Sequence, residues 1–95
     1  MATTADVVDN TARKQLELPV DDHLAFLTYT LDDGVLALVH TEVPEELGGR
    51  GLGGVLVQAA LDKATAEGDA VHLVCPFAKA WVDKHPDAVT AIEVK

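Results

Sequence analysis

The sequence holds a single cysteine, Cys75, which excludes any internal disulfide and any cysteine-rich zinc site. It also lacks a long apolar run. Mean hydropathy is mildly positive at +0.16, yet no stretch reaches the roughly 18 residues that a membrane helix needs. The start, Met1 to Asp6, lacks the basic-then-apolar order of a signal peptide. Basic residues are scarce, seven against sixteen acidic for a net charge of −9. That balance argues against nucleic acid, whose backbone attracts basic surfaces. His23, His72 and His85 have no metal-ligand spacing, so no metal is expected. These absences together predict a cytoplasmic protein with no membrane or nucleic-acid partner.

What is present fits one small domain spanning residues 1–95, with 48% apolar residues to build one core. The charge is uneven. Residues 1–46 hold ten acidic groups and two basic, whereas residues 47–95 hold six and five. A small anionic ligand meets less repulsion in the second half, and a cationic one is drawn toward the first.

Residues 1–12 are small and polar and are expected to fray. Leu16, Leu18 and Val20 alternate with Gln15, Glu17 and Pro19, the pattern of a one-sided edge strand. Asp21-Asp22 turns the chain into residues 23–31, apolar on both parities and so read as a central strand. Asp32-Asp33-Gly34 is a hairpin signal, because Asp and Gly tolerate positive φ. Val35 to Val43 returns as a third strand, again apolar on both faces. Pro44 ends it, having no N–H for a ladder bond.

Leu52, Val55, Leu56, Ala59, Ala60 and Ala64 then fall at helical spacing, and Gly68 supplies a left-handed stop. Residues 70–75 form a short buried strand, placed parallel to 35–43 by a right-handed crossover. Pro76 opens a second helix that carries Phe77, Trp81 and Val82 inward and stops before Pro86. Residues 87–95 carry no decisive pattern and are left flexible.

The loop Gly48-Gly49-Arg50-Gly51-Leu52-Gly53-Gly54 opens the first helix. Unpaired N–H groups and the helix dipole make such a start suited to phosphate, with glycines allowing close approach. Gly49, Gly51 and Gly54 also satisfy G-x-G-x-x-G, but a dinucleotide fold fails on context. The loop follows the third strand of an antiparallel run, and Cys75 stands where an acidic ribose partner belongs.

The arrangement resembles the acetyl-CoA site of the GNAT superfamily of N-acetyltransferases. Their signature, Gln/Arg-x-x-Gly-x-Gly/Ala at a helix start, aligns with Gly48 to Gly53, with Gly48 in place of the usual first residue and Arg50 as a nearby replacement cation. His40-Thr41-Glu42-Val43-Pro44 and Cys75-Pro76-Phe77 look like the short single-domain members, so the resemblance spans residues 13–86. It implies a minimal α+β fold: a small, mixed, mostly antiparallel sheet, two helices and a parallel strand pair splayed at its ends. It implies acetyl-CoA as substrate, held by the main chain of His40, Thr41, Glu42 and Val43, by Gly49, Arg50, Gly51, Leu52, Gly53 and Gly54, and by Lys79. Larger members begin with extra helices that shape the acceptor pocket; this chain has none, which implies an open acceptor side.

Transfer to an amine needs a base or a nucleophile. His40 and Glu42 are the candidate bases, histidine being the side chain that titrates nearest neutrality. Cys75 is the candidate nucleophile: a thiol at a helix start has its pKa lowered, although Pro76 removes one helpful donor. The expected function is acetylation of an exposed primary amine on a protein, peptide or polyamine, by a monomer or weak homodimer. The alternative is a CoA-binding module acting as a sensor or interaction partner.

Overall fold

The structure is a computed structural model describing residues 2–95; Met1 lies outside the described residues. Five strands, β1 (Val8–Asn10), β2 (Gln15–Val20), β3 (His23–Asp32), β4 (Val35–Glu42) and β5 (Ala70–Leu73), lie side by side in chain order. The first four form an antiparallel meander and β5 runs parallel to β4. Helix α1 (Leu52–Glu67) makes the crossover, and α2 (Pro76–Lys84) follows β5. This is the mixed sheet with two helices that the sequence predicts.

The tight turns explain the meander. Asp21 and Asp22 have φ of 49° and 66°, and Asp33 and Gly34 have 52° and 73°. Paired positive φ values match the right-handed twist of the strands they join. α1 ends as expected, on Gly68 at φ 72°, whose N–H meets the carbonyls of Ala64 and Thr65.

One face of the sheet carries the core. Leu16 and Leu18, Ala25, Leu27 and Tyr29, and Leu36 and Leu38 point with period two toward α1, which returns Leu52, Leu56, Val57, Ala60, Leu61 and Ala64. Truncating any fully buried leucine here costs about 2–5 kcal/mol. The other face is open: Leu24 on β3 and Val39 on β4 keep 39% and 41% of their surface. The expectation that β3 and β4 bury both faces is therefore corrected, since both helices pack on one side.

The start of the chain departs further from expectation. A single helical turn at Thr4–Asp6 leads into β1, which pairs with Gln15 to Glu17 and so takes the sheet edge from β2. Pro19 lies beyond the reach of β1, so its missing N–H forfeits no bond there. Side chains secure this short strand. The Tyr29 hydroxyl donates to Asp9 Oδ1 at 2.6 Å, and Lys63 Nζ donates to Asp9 Oδ2 and Glu67 Oε2, each at 2.9 Å.

Three corrections concern the second half. β5 ends at Leu73, two residues short of Cys75, which is instead the N-cap of α2. In α2, Ala78 and Val82 are buried while Phe77 keeps 46% of its surface. The final residues are ordered onto the sheet: after a turn at Pro86–Val89, Val94 bridges Val71, with Val71 N–H to Glu93 O at 2.8 Å and Lys95 N–H to Val71 O at 2.7 Å.

The Asp9 cluster sets an alkaline limit. Burial and the bond to Asp9 push the Tyr29 phenol up to about 12. The bonds from Asp9, then Glu67, raise the Lys63 ammonium above its ordinary value. The fold thus holds both protons longer than the unfolded chain does. Stability should be flat through neutrality and fall as pH rises from about 10 through the Tyr29 value of about 12. Urea unfolding across that range checks this, and Tyr29→Phe should flatten part of the decline.

Candidate active site

β3 and β4 are out of step at one place. Thr28 faces His40 and Tyr29 faces Leu38, leaving Val39 with no partner. This bulge reverses the alternation, so that Leu36 and Leu38 are followed on the helix face by Thr41 rather than by His40. The pairing of β4 with β5 stops at the same point, Leu38 with Leu73. The N–H groups of Val74 and Cys75 both close on Leu38 O, at 3.1 and 2.8 Å, and the chain turns off into α2. Beyond Leu38, the backbone of β4 has no β5 neighbour, and a wedge opens between the strand ends.

Cys75 sits in this wedge, 3% exposed, with Sγ 3.5 Å from Thr41 Oγ1. Burial pushes the thiol up, but hydrogen bonding outweighs it: the Thr41 hydroxyl, the first-turn amides of Ala78 and Phe77, and the Thr41 backbone hold it below its ordinary value. His40 and Glu42 are elsewhere. Their side chains, 58% and 60% exposed, face each other at 3.4 Å on the open side of the sheet, with the Phe26 ring 6.3 Å from the imidazole. Of the three candidate catalytic residues, the bulge keeps two together and separates them from the third.

After Pro44 a short turn buries Leu47, and the glycine loop follows with Gly49 at φ 81° and Gly51 at 72°. Gly51 is the N-cap of α1 and has no side chain to offer, and the first helical bond is Val55 N–H to Gly51 O at 3.2 Å. Among the described residues, the N–H groups of Leu52, Gly53 and Gly54 find no partner. A cavity of about 310 Å³ lies here, lined by the loop, Val43, Phe77 and Trp81. A Cβ on Gly53 would stand 2.5 Å from the Phe77 ring, and one on Gly54 would stand 2.5 Å from Trp81 Nε1. The loop glycines therefore divide: Gly49 and Gly51 bend the chain, while Gly53 and Gly54 admit two rings from α2.

Of the residues expected to hold acetyl-CoA, Val43, Gly49, Gly51, Leu52, Gly53 and Gly54 line this cavity. His40, Thr41 and Glu42 lie on the adjoining strand. Arg50 does not reach over the amides. Its Nη1 donates to Asp21 Oδ2 at 2.7 Å and holds that carboxyl below the usual carboxylate range. Lys79 is exposed on α2 and lines neither this cavity nor the cleft beside Arg50. Leu47, Gly48, Phe77 and Trp81 also line the glycine-loop cavity and are not among the residues expected to hold acetyl-CoA. The i, i+4 spacing of Phe77 and Trp81 opposite the Gly53-Gly54 pair was the available signal.

Comparison with known proteins agrees with this geometry. The sequence model of the GCN5-related N-acetyl-transferase family matches residues 15–91. The NATD1 proteins of Gallus gallus and Mus musculus are each 38% identical over 52 residues, 55% of this chain and 47% of theirs. The chain thus spans about half the length of the curated relatives it matches. The NMR solution structure of a GCN5-like candidate N-acetyltransferase from Staphylococcus aureus superposes with a TM-score of 0.70 at 26% identity, covering 92% of this chain and 86% of that one.

Two substitutions test the local geometry. Gly51→Val should cost about 1–2 kcal/mol in chemical unfolding, the strain of a left-handed backbone under a branched side chain, whereas Gly51→Asn should cost less. Thr41→Val should move the midpoint of Cys75 alkylation by iodoacetamide to higher pH, because it removes a hydrogen bond that favours the thiolate.

Proposed function

Because the chain belongs to the GCN5-related N-acetyl-transferase family, we propose that it moves the acetyl group of acetyl-CoA to an exposed primary amine of a protein, peptide or polyamine. One observation carries this reading: three partnerless amides at an uncapped helix start open into a cavity beside a strand that has lost its neighbour. The amides and helix dipole suit the phosphates of CoA. The free edge from Val39 to Val43 suits the amides of its pantetheine arm, which can bond there as an added strand does.

Acetyl-CoA supplies an activated thioester; the chain's residues must position an amine and take its proton. An ordinary lysine-type amine has a pKa near 10.4, so freeing it at pH 7 costs about 4–5 kcal/mol. His40 and Glu42, paired on the open side at the end of β4, are assigned the proton. Glu42, Glu45 and Glu46 follow one another there and favour a cationic acceptor. Cys75 is the alternative route, in which its thiolate takes the acetyl group first and the CoA thiolate leaves. Its contact is with Thr41 and not with the two bases, which favours direct transfer.

One feature favours a second reading, CoA binding without turnover: Gly48 removes the side chain that opens the family signature.

The test joins melting temperature with release of CoA from acetyl-CoA in the presence of a lysine-rich peptide. A ligand at a hundred times its Kd stabilises by about 2.7 kcal/mol, which corresponds to roughly 10 °C or more for a domain of this size. No shift with millimolar CoA overturns both readings, and a shift without turnover leaves the second. Cys75→Ala should keep most of the turnover and lose some stability. A fall of several orders of magnitude in both Cys75→Ala and Cys75→Ser, with CoA affinity intact, would instead establish the cysteine route.

A further inference from the structure

The transfer proposed above gives no task to the contact between Arg50 and Asp21. Arg50 is the one basic residue, among the described residues, that lines either of two adjoining cavities. The smaller is the glycine-loop cavity. The larger, about 790 Å³, shares Gly49 and Leu52 with it and extends over Asp6, Pro19, Val20 and Asp21. Arg50 lines the larger cleft and not the glycine-loop cavity, and its guanidinium donates to Asp21 at 2.7 Å.

Three facts make this contact exchangeable. The pair is solvated, with Arg50 and Asp21 side chains 49% and 66% exposed, and such pairs are weakly held. The turn carrying Asp21 takes its shape from its own positive φ values, 49° at Asp21 and 66° at Asp22, so it does not need the pair to keep its form. A phosphate also offers the planar guanidinium two oxygens and more charge than a single carboxylate oxygen does. The chain's net charge of −9 makes every cation at a phosphate site count, and Gly48 contributes none.

We propose that the Arg50–Asp21 ion pair is a latch opened by the ligand: a phosphate of CoA replaces Asp21 on the Arg50 guanidinium, and Asp21 is a positioning residue that competes for it. The proposal rests on the acetyl-CoA reading above. The phosphate is either the 3′-phosphate or one of the pyrophosphate, and the test separates them.

The experiment measures Kd by calorimetry for CoA, dephospho-CoA and pantetheine with the whole chain, as wild type, Asp21→Asn, Arg50→Gln and the double variant. Asn tolerates the left-handed turn, and ligand-free melting temperatures confirm that each variant is folded. Arg50→Gln should weaken CoA about tenfold. Asp21→Asn should tighten it about three- to tenfold, and most of that gain should vanish in the Arg50→Gln background. Loss of the gain with dephospho-CoA assigns the contact to the 3′-phosphate. A gain kept with dephospho-CoA and lost with pantetheine assigns it to the pyrophosphate. A gain that persists with pantetheine, an equal gain with and without Arg50, or no gain at all overturns the latch. Failure of wild type to bind CoA overturns the acetyl-CoA reading itself, before any variant is compared.

Discussion

Val39 has no partner on β3, and this unpaired residue decides which side chains meet at the end of the sheet. With regular alternation, His40 and Glu42 would follow Leu36 and Leu38 onto the buried face, where an unpaired charge is costly. The extra residue sends both out to solvent and sends Thr41 in toward Cys75. The added local twist of a bulge also falls where β5 leaves β4. One local irregularity thus opens the wedge and sorts the polar groups around it.

The start of α1 is shaped by the same economy of side chains. A capping serine or aspartate in place of Gly51 would add only about a few tenths of a kcal/mol to a typical helix, because glycine is itself an acceptable cap. The chain forgoes that, and the amides of Leu52, Gly53 and Gly54 stay free. In that same first turn, α2 lays Phe77 and Trp81 against Gly53 and Gly54, so the loop is held by ring contacts rather than by a polar cap. Firm packing on one side of the loop leaves the other side free for an anion.

Much of the fold was legible because it follows from residue type and spacing. The alternation of Leu16 and Leu18, the Asp-Asp and Asp-Gly turns, and the helical run closed by Gly68 correctly predict β2 to β4 and α1. What was not legible depends on contacts distant in sequence. β1 is only Val-Asp-Asn, and its strand character comes from Asp9 meeting Tyr29 and Lys63. The bulge has no sequence marker, since Val39 is one more β-branched residue in an apolar run. Phe77 and Ala78 differ by one helical position, and the narrow space under α2 accepts the smaller. The glycine loop was legible as a phosphate-suited helix start from its glycines and the helical run behind it, and the family resemblance supplied the ligand. The pairing of Arg50 with a carboxylate 29 residues away could only be seen in space.

The bridge between Val94 and Val71 has a consequence for the protein in concentrated solution. A bare sheet edge is a template onto which another chain can add a strand. At β5 the bonds around Val71 are taken up by Glu93 and Lys95, whose side chains are charged and paired at 3.4 Å. At the opposite margin β1 is three residues long, too short to guide a foreign strand. Another chain could pair with β5 at Val71 only by displacing Glu93 and Lys95 from those bonds.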